Sequence, residues 1–198
     1  MRRTRGEAEM TRQRVIEAAL ALFSRNGYSQ TTLAMIAAEA GYSRGPIYWN
    51  FSSKDELFEA VLGFSQQPLQ QLVERARTEP DPRRAIDDFV DEWFRLLVED
   101  DWFRQSFEIL LNKTELTAAM ARTIRRERRL TRAIITTLGA RIHEIRPAGD
   151  VDAGSLGLLC YTYLMGITQS WLFAPKLFSL AERRNFFRTH LHGMLGFA

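Results

Sequence analysis

Cysteine is almost absent from this sequence: Cys160 is the only one among 198 residues. A single thiol can form neither an intramolecular disulfide nor a thiolate cluster for a metal ion. Histidine is scarce as well, and His190 and His192 lie two positions apart on a predicted helix, where they cannot converge on one ion. We therefore predict no metal site and no cofactor.

A long apolar run is also missing. The first residues are polar and arginine-rich, unlike a signal peptide, and the apolar stretch Leu156–Ile167 is too short to span a bilayer. Residues 153–157, Ala-Gly-Ser-Leu-Gly, lack the first glycine of a nucleophile elbow, and no predicted strand precedes them. The sequence therefore predicts a cytoplasmic protein that contacts no membrane and is not an enzyme.

Positive charge is concentrated near the N-terminus. Residues 1–54 contain eight Arg or Lys and four Asp or Glu, a net charge of +4, whereas the remainder of the chain carries −1. A segment that binds the phosphates of nucleic acid requires such an excess.

The segment Leu33–Lys54 has the pattern of a helix-turn-helix. Apolar residues recur at helical spacing up to Ala40, Gly41 can adopt the left-handed conformation that ends a helix, and Ser43 can cap the next one. We expect the Ser43 hydroxyl to accept a hydrogen bond from the Gly45 N–H. In a helix-turn-helix, the second helix enters the major groove of DNA.

The second helix separates a packing face from a binding face. Ile47 and Phe51 lie four residues apart and should pack on the first helix, so Tyr48 and Trp49 point outward. The Tyr hydroxyl and the Trp N–H suit phosphate oxygens, and Arg44 can bond guanine. The alternative is an ordinary helical hairpin that exposes two aromatic side chains.

The rest of the chain also predicts helices, so the fold class is all-α. Five signals mark helix boundaries: the Asn26-Gly27 stop, the capping box Ser53–Glu56, Asp81-Pro82 as N-cap and N1, Asp150 or Asp152, and Ser179. A long helix should extend from about Leu116 to Ile145. We predict a helix-turn-helix DNA-binding domain over residues 1–55 and a helical body over residues 56–198.

An arginine run lies on that long helix. Its members are Arg122, Arg125, Arg126, Arg128, Arg129 and Arg132. Because the same helix carries Glu127, we interpret the run as a solvated face rather than as a nucleic-acid site.

These features resemble the tetracycline-repressor (TetR) family of bacterial transcriptional regulators. The resemblance is densest from Thr11 to Leu62, through the motifs Ala-Leu-Phe-Ser-Arg-Asn-Gly-Tyr, Ala-Gly-Tyr-Ser-Arg-Gly, Ile-Tyr-Trp-Asn-Phe and Ser-Lys-Asp-Glu-Leu-Phe. Residues 107–113 and 170–175 are similar to the AcrR/TtgR-type repressors of multidrug efflux pumps.

The resemblance implies a nine-helix, omega-shaped homodimer whose heads bind a palindromic operator in double-stranded DNA and whose bodies bind a small inducer. The implied DNA contacts are Thr31 or Thr32, Ser43, Arg44, Gly45, Tyr48, Trp49, Asn50 and Lys54. Lys54 would hold a phosphate at the start of the fourth helix. The family usually has His in place of Asn50 and Ala or Asn in place of Pro46, so a contact at Asn50 is expected to be weaker or differently aimed.

Two further sets of residues follow from inward helical phase and the family layout. The inducer site is predicted at Leu62, Gln66, Trp93, Phe107, Leu110 and Tyr163. The dimer interface is predicted as a four-helix bundle through Leu164, Ile167, Trp171, Phe187, Leu191 and Leu195. The expected function is a ligand-responsive repressor of a multidrug efflux operon, released by a small apolar or amphipathic inducer. The alternative is a ligand-independent regulator of the same fold with a filled body.

Overall fold

The computed structural model describes residues 5–115, 120–146 and 151–197, and within these ranges it contains nine α-helices and no strand. The helices are α1 Arg5–Gln30, α2 Leu33–Glu39, α3 Arg44–Asn50, α4 Lys54–Thr78, α5 Pro82–Glu99, α6 Asp101–Asn112, α7 Ala121–Ile145, α8 Ala153–Phe173 and α9 Leu180–Leu195. The predicted all-α fold of nine helices is confirmed. The predicted start of the long helix near Leu116 lies outside the described residues.

Local capping explains most of the helix ends. Gly27 interrupts the last turn of α1 and Gly41 follows α2, both in the left-handed region at φ 77° and 73°. Four side chains accept a backbone N–H at the start of a helix, as the sequence predicts: Thr32 for α2, Asp81 for α5, Asp152 for α8 and Ser179 for α9. Asp150, the other candidate cap of α8, lies outside the described residues.

The capping box at the start of α4 forms in a modified version. The Glu56 N–H donates to Ser53 Oγ over 3.1 Å, as predicted, but the Glu56 carboxylate accepts from the Ser52 N–H over 2.7 Å. Because Ser52 lies one residue further from the helix, the box also orders the end of the loop that follows α3.

The chain divides into two compact units, and neither is a continuous stretch. Unit 1 contains the described residues of Met1–Ser65 and Gln105–Ile124, and unit 2 those of Gln66–Arg104 and Arg125–Ala198. The predicted domains 1–55 and 56–198 are divisions by function, and they remain a prediction beside this division by compactness. Helix α4 passes through residue 55 without a break, and the Tyr28 N–H at the end of α1 donates to the Lys113 carbonyl after α6 over 3.0 Å.

Unit 1 has an aromatic core beneath the helix-turn-helix. Helices α1, α2 and α3 pack on one another, and the rings of Phe23, Tyr28 and Phe58 form a mutual cluster with centroids 4.8–5.6 Å apart. Such offset and edge-on aromatic pairs stabilise a core beyond their buried area. The cluster therefore gives the DNA-binding helices a rigid base.

Unit 2 is held together by α5, α8 and α9, and by a close approach of α7 to α8. A Cβ placed on Gly157 would lie 2.0 Å from the Ile135 carbonyl oxygen, and one on Gly139 would lie 2.1 Å from the Ala153 carbonyl oxygen. Since no side chain separates the two helices at these positions, their backbones are in direct contact. No helix in the described part of the chain has the length and apolarity needed to cross a membrane.

Candidate DNA-binding and ligand-binding sites

Helix α3 has one buried face and one exposed face. Ile47 and Phe51 are almost completely buried, whereas Tyr48 and Trp49 expose 57% and 78% of their surface. The predicted division of this helix into a packing face and an outward face is confirmed. Two large aromatic rings in water are not needed by the core, and their hydroxyl and N–H groups remain accessible to an external acceptor.

The first turn of α3 is open to an approaching ligand. Gly45 is exposed, and a Cβ added there would meet nothing within 4 Å. The fold therefore does not require glycine at this position. Ser43 is the N-cap residue, but its side chain makes no capping hydrogen bond, so the predicted bond to the Gly45 N–H is wrong. Arg44 begins the helix, and its side chain lies outside the described part of the structure.

Asn50, the residue that departs from the family, binds its own helix. Its Nδ2 donates to the Pro46 carbonyl over 2.7 Å, one helical turn earlier. This bond uses one of the two Nδ2 hydrogens, so the other hydrogen and Oδ1 remain for an external partner.

The two threonines before α2 have different roles. Thr31 is completely buried, and its hydroxyl donates to the Gly27 carbonyl over 2.8 Å. Thr31 is therefore a structural residue, and the phosphate contact implied for it is withdrawn. Thr32 is exposed and caps α2 by accepting from the Met35 N–H over 3.2 Å. Of the pair, only Thr32 is placed where it can reach DNA.

Lys54 ties the start of α4 to the end of α1. Its Nζ donates to the carbonyls of Tyr28 and Thr31, both over 3.0 Å, and lies 4.1 Å from the centroid of the Tyr28 ring. Burial lowers the pKa of Lys54, and the neighbouring Asp55 opposes that effect. An ammonium group has three N–H donors, so one remains for a phosphate. The sequence correctly placed Lys54 at the start of the helix but did not anticipate its structural bonds.

Tyr28 and Lys113 extend this junction. The Tyr28 hydroxyl donates to the Asp55 carboxylate, and burial, followed by this bond, raises the pKa of Tyr28. Lys113 Nζ donates to the Ser24 carbonyl over 2.6 Å. The ends of α1 and α6 and the start of α4 are thus joined within unit 1. Sequence reasoning missed this junction, because its partners lie far apart in the chain and most of its bonds use backbone carbonyls, which leave no mark on residue type.

Replacing Lys54 with alanine is expected to lower the free energy of unfolding by about 1–2 kcal/mol, because two carbonyls lose a charged donor. The same change should reduce the salt dependence of DNA binding by about one unit of slope if the third N–H meets a phosphate. Thermal denaturation and DNA titrations at several salt concentrations measure the two effects. Lys176→Ala is the matched control, since it removes the same charge at an exposed position. Equal melting temperatures for the two variants would contradict the structural role of Lys54.

Unit 2 contains a buried polar pair. Gln66 is 1% exposed, and its Nε2 donates to the Glu127 carboxylate of α7. Gln66 Oε1 is buried without a hydrogen-bond partner among the described residues. Burial raises the pKa of Glu127, against the lowering effects of the Gln66 bond and of Arg126. The sequence predicted Gln66 as a ligand residue, but it treated Glu127 as part of a solvated face.

The other predicted ligand residues do not form one set within a unit. Leu62, Phe107 and Leu110 belong to unit 1, and Trp93 belongs to unit 2, where its Nε1 donates to Thr168 Oγ1 over 2.9 Å. Tyr163 lies elsewhere in unit 2. It lines a groove of about 590 Å³ between α8 and α9, and its hydroxyl donates to the Phe187 carbonyl over 3.0 Å. Tyr163 is therefore not placed as an interior ligand residue.

The predicted dimer residues are divided in the same way. Leu164, Leu191 and Leu195 are completely buried within the subunit, so they stabilise its own core and cannot form an exposed interface. The groove between α8 and α9 is instead lined by Thr162, Tyr163, Gly166, Ile167, Ser170, Leu177, Phe178, Arg183, Phe186 and Phe187. Ile167 and Phe187 line this groove and Trp171 is partly exposed, so their part in a dimer interface stays a prediction. Helical phase alone did not distinguish the inner from the outer apolar side of α8 and α9.

The described residues contain no group of three or more His, Cys, Asp or Glu side chains that could hold a metal ion.

The helix-turn-helix and the exposed aromatic face of its second helix place this chain in the class of helix-turn-helix DNA-binding proteins. Residues 15–61 match the family described as "Bacterial regulatory proteins, tetR family".

Known proteins identify the family. The chain is 31% identical to the HTH-type transcriptional regulator AcrR of Shigella flexneri, over 91% of this chain and 87% of that protein. It is 34% identical to the HTH-type transcriptional regulator TtgR of Pseudomonas putida, over 88% of this chain and 86% of that protein. This chain belongs to the tetR family, and the predicted resemblance to AcrR and TtgR is confirmed.

A solved structure supports the same assignment. NalD, described as the secondary repressor of the MexAB-OprM multidrug efflux pump in Pseudomonas aeruginosa, is similar with a TM-score of 0.84 over 96% of each chain, at 26% identity. These three relatives are regulators by name, in agreement with the predicted class.

Proposed function

We propose that this protein is a ligand-responsive transcriptional repressor that binds a palindromic operator as a homodimer and controls a multidrug efflux operon. The observation that carries the proposal is the exposed face of α3, where Tyr48 and Trp49 are in water on a helix whose other face is buried. The relatives support it: NalD is named as a repressor of an efflux pump, and AcrR and TtgR as transcriptional regulators.

The DNA contacts divide by chemistry. Tyr48, Trp49 and Thr32 present hydroxyl and N–H groups that suit phosphate oxygens, which position a protein on the duplex. Arg44 supplies the guanidinium that reads guanine in the major groove. Gly45 has no side chain to hold the duplex away, so the backbone of α3 can approach the groove closely.

The homodimer is proposed to form through the groove between α8 and α9. The groove is lined mostly by apolar and aromatic side chains, and two of them, Leu177 and Phe186, expose 74% and 49% of their surface. Contiguous exposed apolar surface of this kind marks a protein–protein interface. A two-fold axis would place the same pair of helices from each subunit in contact.

The inducer is proposed to contact the buried pair of Gln66 and Glu127. A buried acceptor without a partner is unfavourable, and a ligand that donates a hydrogen bond to Gln66 Oε1 would satisfy that acceptor. A ligand that carries a positive charge could instead pair with the Glu127 carboxylate. The inducer class is therefore an apolar molecule with an N–H donor or a positive charge. The inducer can release DNA only to the extent that it binds the released conformation more tightly than the DNA-bound conformation.

Selecting fragments of the source genome with the purified protein tests this function. We expect a palindromic site beside genes for an efflux pump, and release of that DNA by an apolar amine in a mobility-shift assay. Selection of no discrete site would overturn the proposal. Release by no compound, together with no thermal shift across an apolar library, would favour the ligand-independent regulator with a filled body.

The Glu127→Gln variant is expected to be more stable than the wild type near pH 7.5, by about 1–2 kcal/mol. The raised pKa of Glu127 means that the folded state prefers its protonated form. Its contribution to stability is therefore fully present below the ordinary carboxyl pKa and is lost as the pH rises through the raised value. A glutamine is neutral at every pH, and its amide can donate to Gln66 Oε1.

The gain should shrink near pH 3.5, below the ordinary pKa of a glutamate carboxyl, where the wild-type carboxyl is protonated as well. Urea denaturation at both pH values measures the gain in free energy of unfolding. Glu115→Gln, at an exposed position, is the control, and its stability relative to the wild type should not change between the two pH values. A loss of stability at pH 7.5, or an equal gain at both pH values, would show that Glu127 is not a desolvated acid.

A further inference from the structure

A groove of about 490 Å³ on unit 2 is lined by four arginines and by one acid, Glu144. Arg77 comes from the end of α4, and Arg129, Arg132 and Arg141 come from α7. Between them lie small side chains, including those of Ala133, Thr136 and Ala140. The volume is within the range of small-molecule sites, and the groove combines guanidinium groups with threonine hydroxyls.

Two of the four arginines already have an acid partner. Arg77 lies 2.9 Å from the Glu74 carboxylate, and Arg141 lies 2.9 Å from the Glu144 carboxylate. Arg141 also donates to the Glu79 carbonyl, so its guanidinium is held in place at the side of the groove.

The other two arginines carry charges that the protein does not neutralise. Arg129 and Arg132 are exposed, and among the described residues neither has a hydrogen bond or an ion pair. Glu127, the acid nearest to them in sequence, is turned toward Gln66. The groove therefore contains two positive charges that lack a counter-charge.

The surrounding surface of α7 strengthens this excess. Arg125, Arg128, Arg129 and Arg132 fall within an arc of about 100° around the helix axis. Like charges three or four positions apart destabilise a helix, and the arc contains four such pairs. A bound anion would offset the repulsion between Arg129 and Arg132, the two members of the arc that also line the groove. The interpretation of the arginine run as an ordinary solvated face relied on Glu127, whose carboxylate the structure turns toward Gln66.

We propose that this groove binds a small phosphate-bearing dianion through Arg129 and Arg132. A phosphate monoester carries a charge of about −1.5 to −2 at pH 7, which matches the two unpaired guanidinium groups. The planar guanidinium forms paired hydrogen bonds with phosphate oxygens, and the Thr136 hydroxyl can donate a further one. The groove belongs to unit 2 and the DNA-binding face of α3 to unit 1, so the proposal does not rest on the proposed regulatory function.

Calorimetric titration and thermal denaturation with two probes test the site at constant ionic strength, with sodium chloride as the balancing salt. Glycerol 3-phosphate represents a phosphate monoester and inorganic phosphate the free ion, while succinate is a dianion without phosphate. We expect saturable binding and a higher melting temperature with at least one phosphate probe, and neither with succinate. The tighter phosphate probe identifies the source of the ligand. Equal effects of chloride and both phosphates, or equal binding of succinate, would overturn the proposal.

A pair of double variants locates the binding. Arg129→Gln with Arg132→Gln should weaken phosphate binding by about tenfold or more, because both unpaired guanidinium groups are lost. Arg125→Gln with Arg128→Gln removes the same charge from the same helix outside the groove, so it should lose only the weaker long-range attraction, about threefold or less. Glutamine preserves helix propensity, and all four arginines are exposed, so folding should be unaffected. Equal losses in both double variants would overturn the groove as the site. A loss of operator affinity without any phosphate binding would show instead that the arginines contact nucleic acid.

Discussion

Gly157→Ala is expected to lower the free energy of unfolding by about 2–4 kcal/mol. The added Cβ would lie 2.0 Å from the Ile135 carbonyl oxygen and 2.8 Å from the Gly139 nitrogen. Both atoms belong to the backbone of α7, so no side chain can rotate away. The helices must instead separate by about 1 Å, and every contact between them weakens.

Chemical denaturation of Gly157→Ala beside Gly63→Ala measures this effect. Gly63 lies inside α4, and a Cβ there meets nothing within 4 Å, so the control should gain up to about 1 kcal/mol from the helix propensity of alanine. Adding Gly139→Ala to Gly157→Ala should destabilise the protein by less than the sum of the two single changes. The reason is that the first substitution has already separated the helices. An unchanged midpoint for Gly157→Ala would mean that α7 and α8 do not meet through their backbones.

Replacing Tyr48 and Trp49 together by alanine is expected to weaken operator binding by about 2–4 kcal/mol, or roughly 30- to 1000-fold. Each side chain offers one donor, and a hydrogen bond to a charged oxygen contributes more than one to a neutral acceptor. Because the rings are 57% and 78% exposed, the melting temperature of the free protein should remain that of the wild type. Fluorescence anisotropy with labelled operator DNA measures the affinity.

Two comparison variants separate the contributions to that loss. Tyr48→Phe with Trp49→Phe keeps the rings and removes both donors, so most of the loss should remain if the donors meet phosphates. Because phosphate contacts do not depend on base sequence, operator and random DNA should be affected alike. Arg44→Ala should lose about 1–3 kcal/mol on the operator and much less on random DNA. A threefold loss or less for the double alanine variant would remove this face of α3 from the DNA contact.

The helices could be predicted from the sequence because their signals are local. The left-handed Gly41, the Asp81-Pro82 start of α5 and the Ser179 cap of α9 act on residues at most four positions away. Such interactions are nearly the same in any fold, so residue type and spacing are enough. The Ser43 cap is the exception. Pro46 has no N–H from which the Ser43 hydroxyl could accept, and the Ser43 side chain makes no capping bond with the Gly45 N–H either.

The partners of individual side chains could not be predicted in this way. Thr31 and Thr32 are adjacent and chemically identical, yet one is buried beneath α1 and the other is exposed. Leu164 and Ile167 share an apolar helix, yet only Ile167 lines the outer groove. In each case the decision depends on elements far away in sequence, which no local pattern records.

The sequence by itself determined the all-α fold, the helix-turn-helix, the outward Tyr48 and Trp49, and the family. These follow from helical periodicity, capping and a motif of about fifty residues, all of which are short-range. Only the tertiary structure decided that Lys54 ties α4 to α1, that Glu127 turns inward to Gln66, and that Arg129 and Arg132 share a groove. The physical reason is that hydrogen bonding and burial are set by whichever atoms packing brings within a few ångströms, and packing joins segments that the sequence keeps far apart.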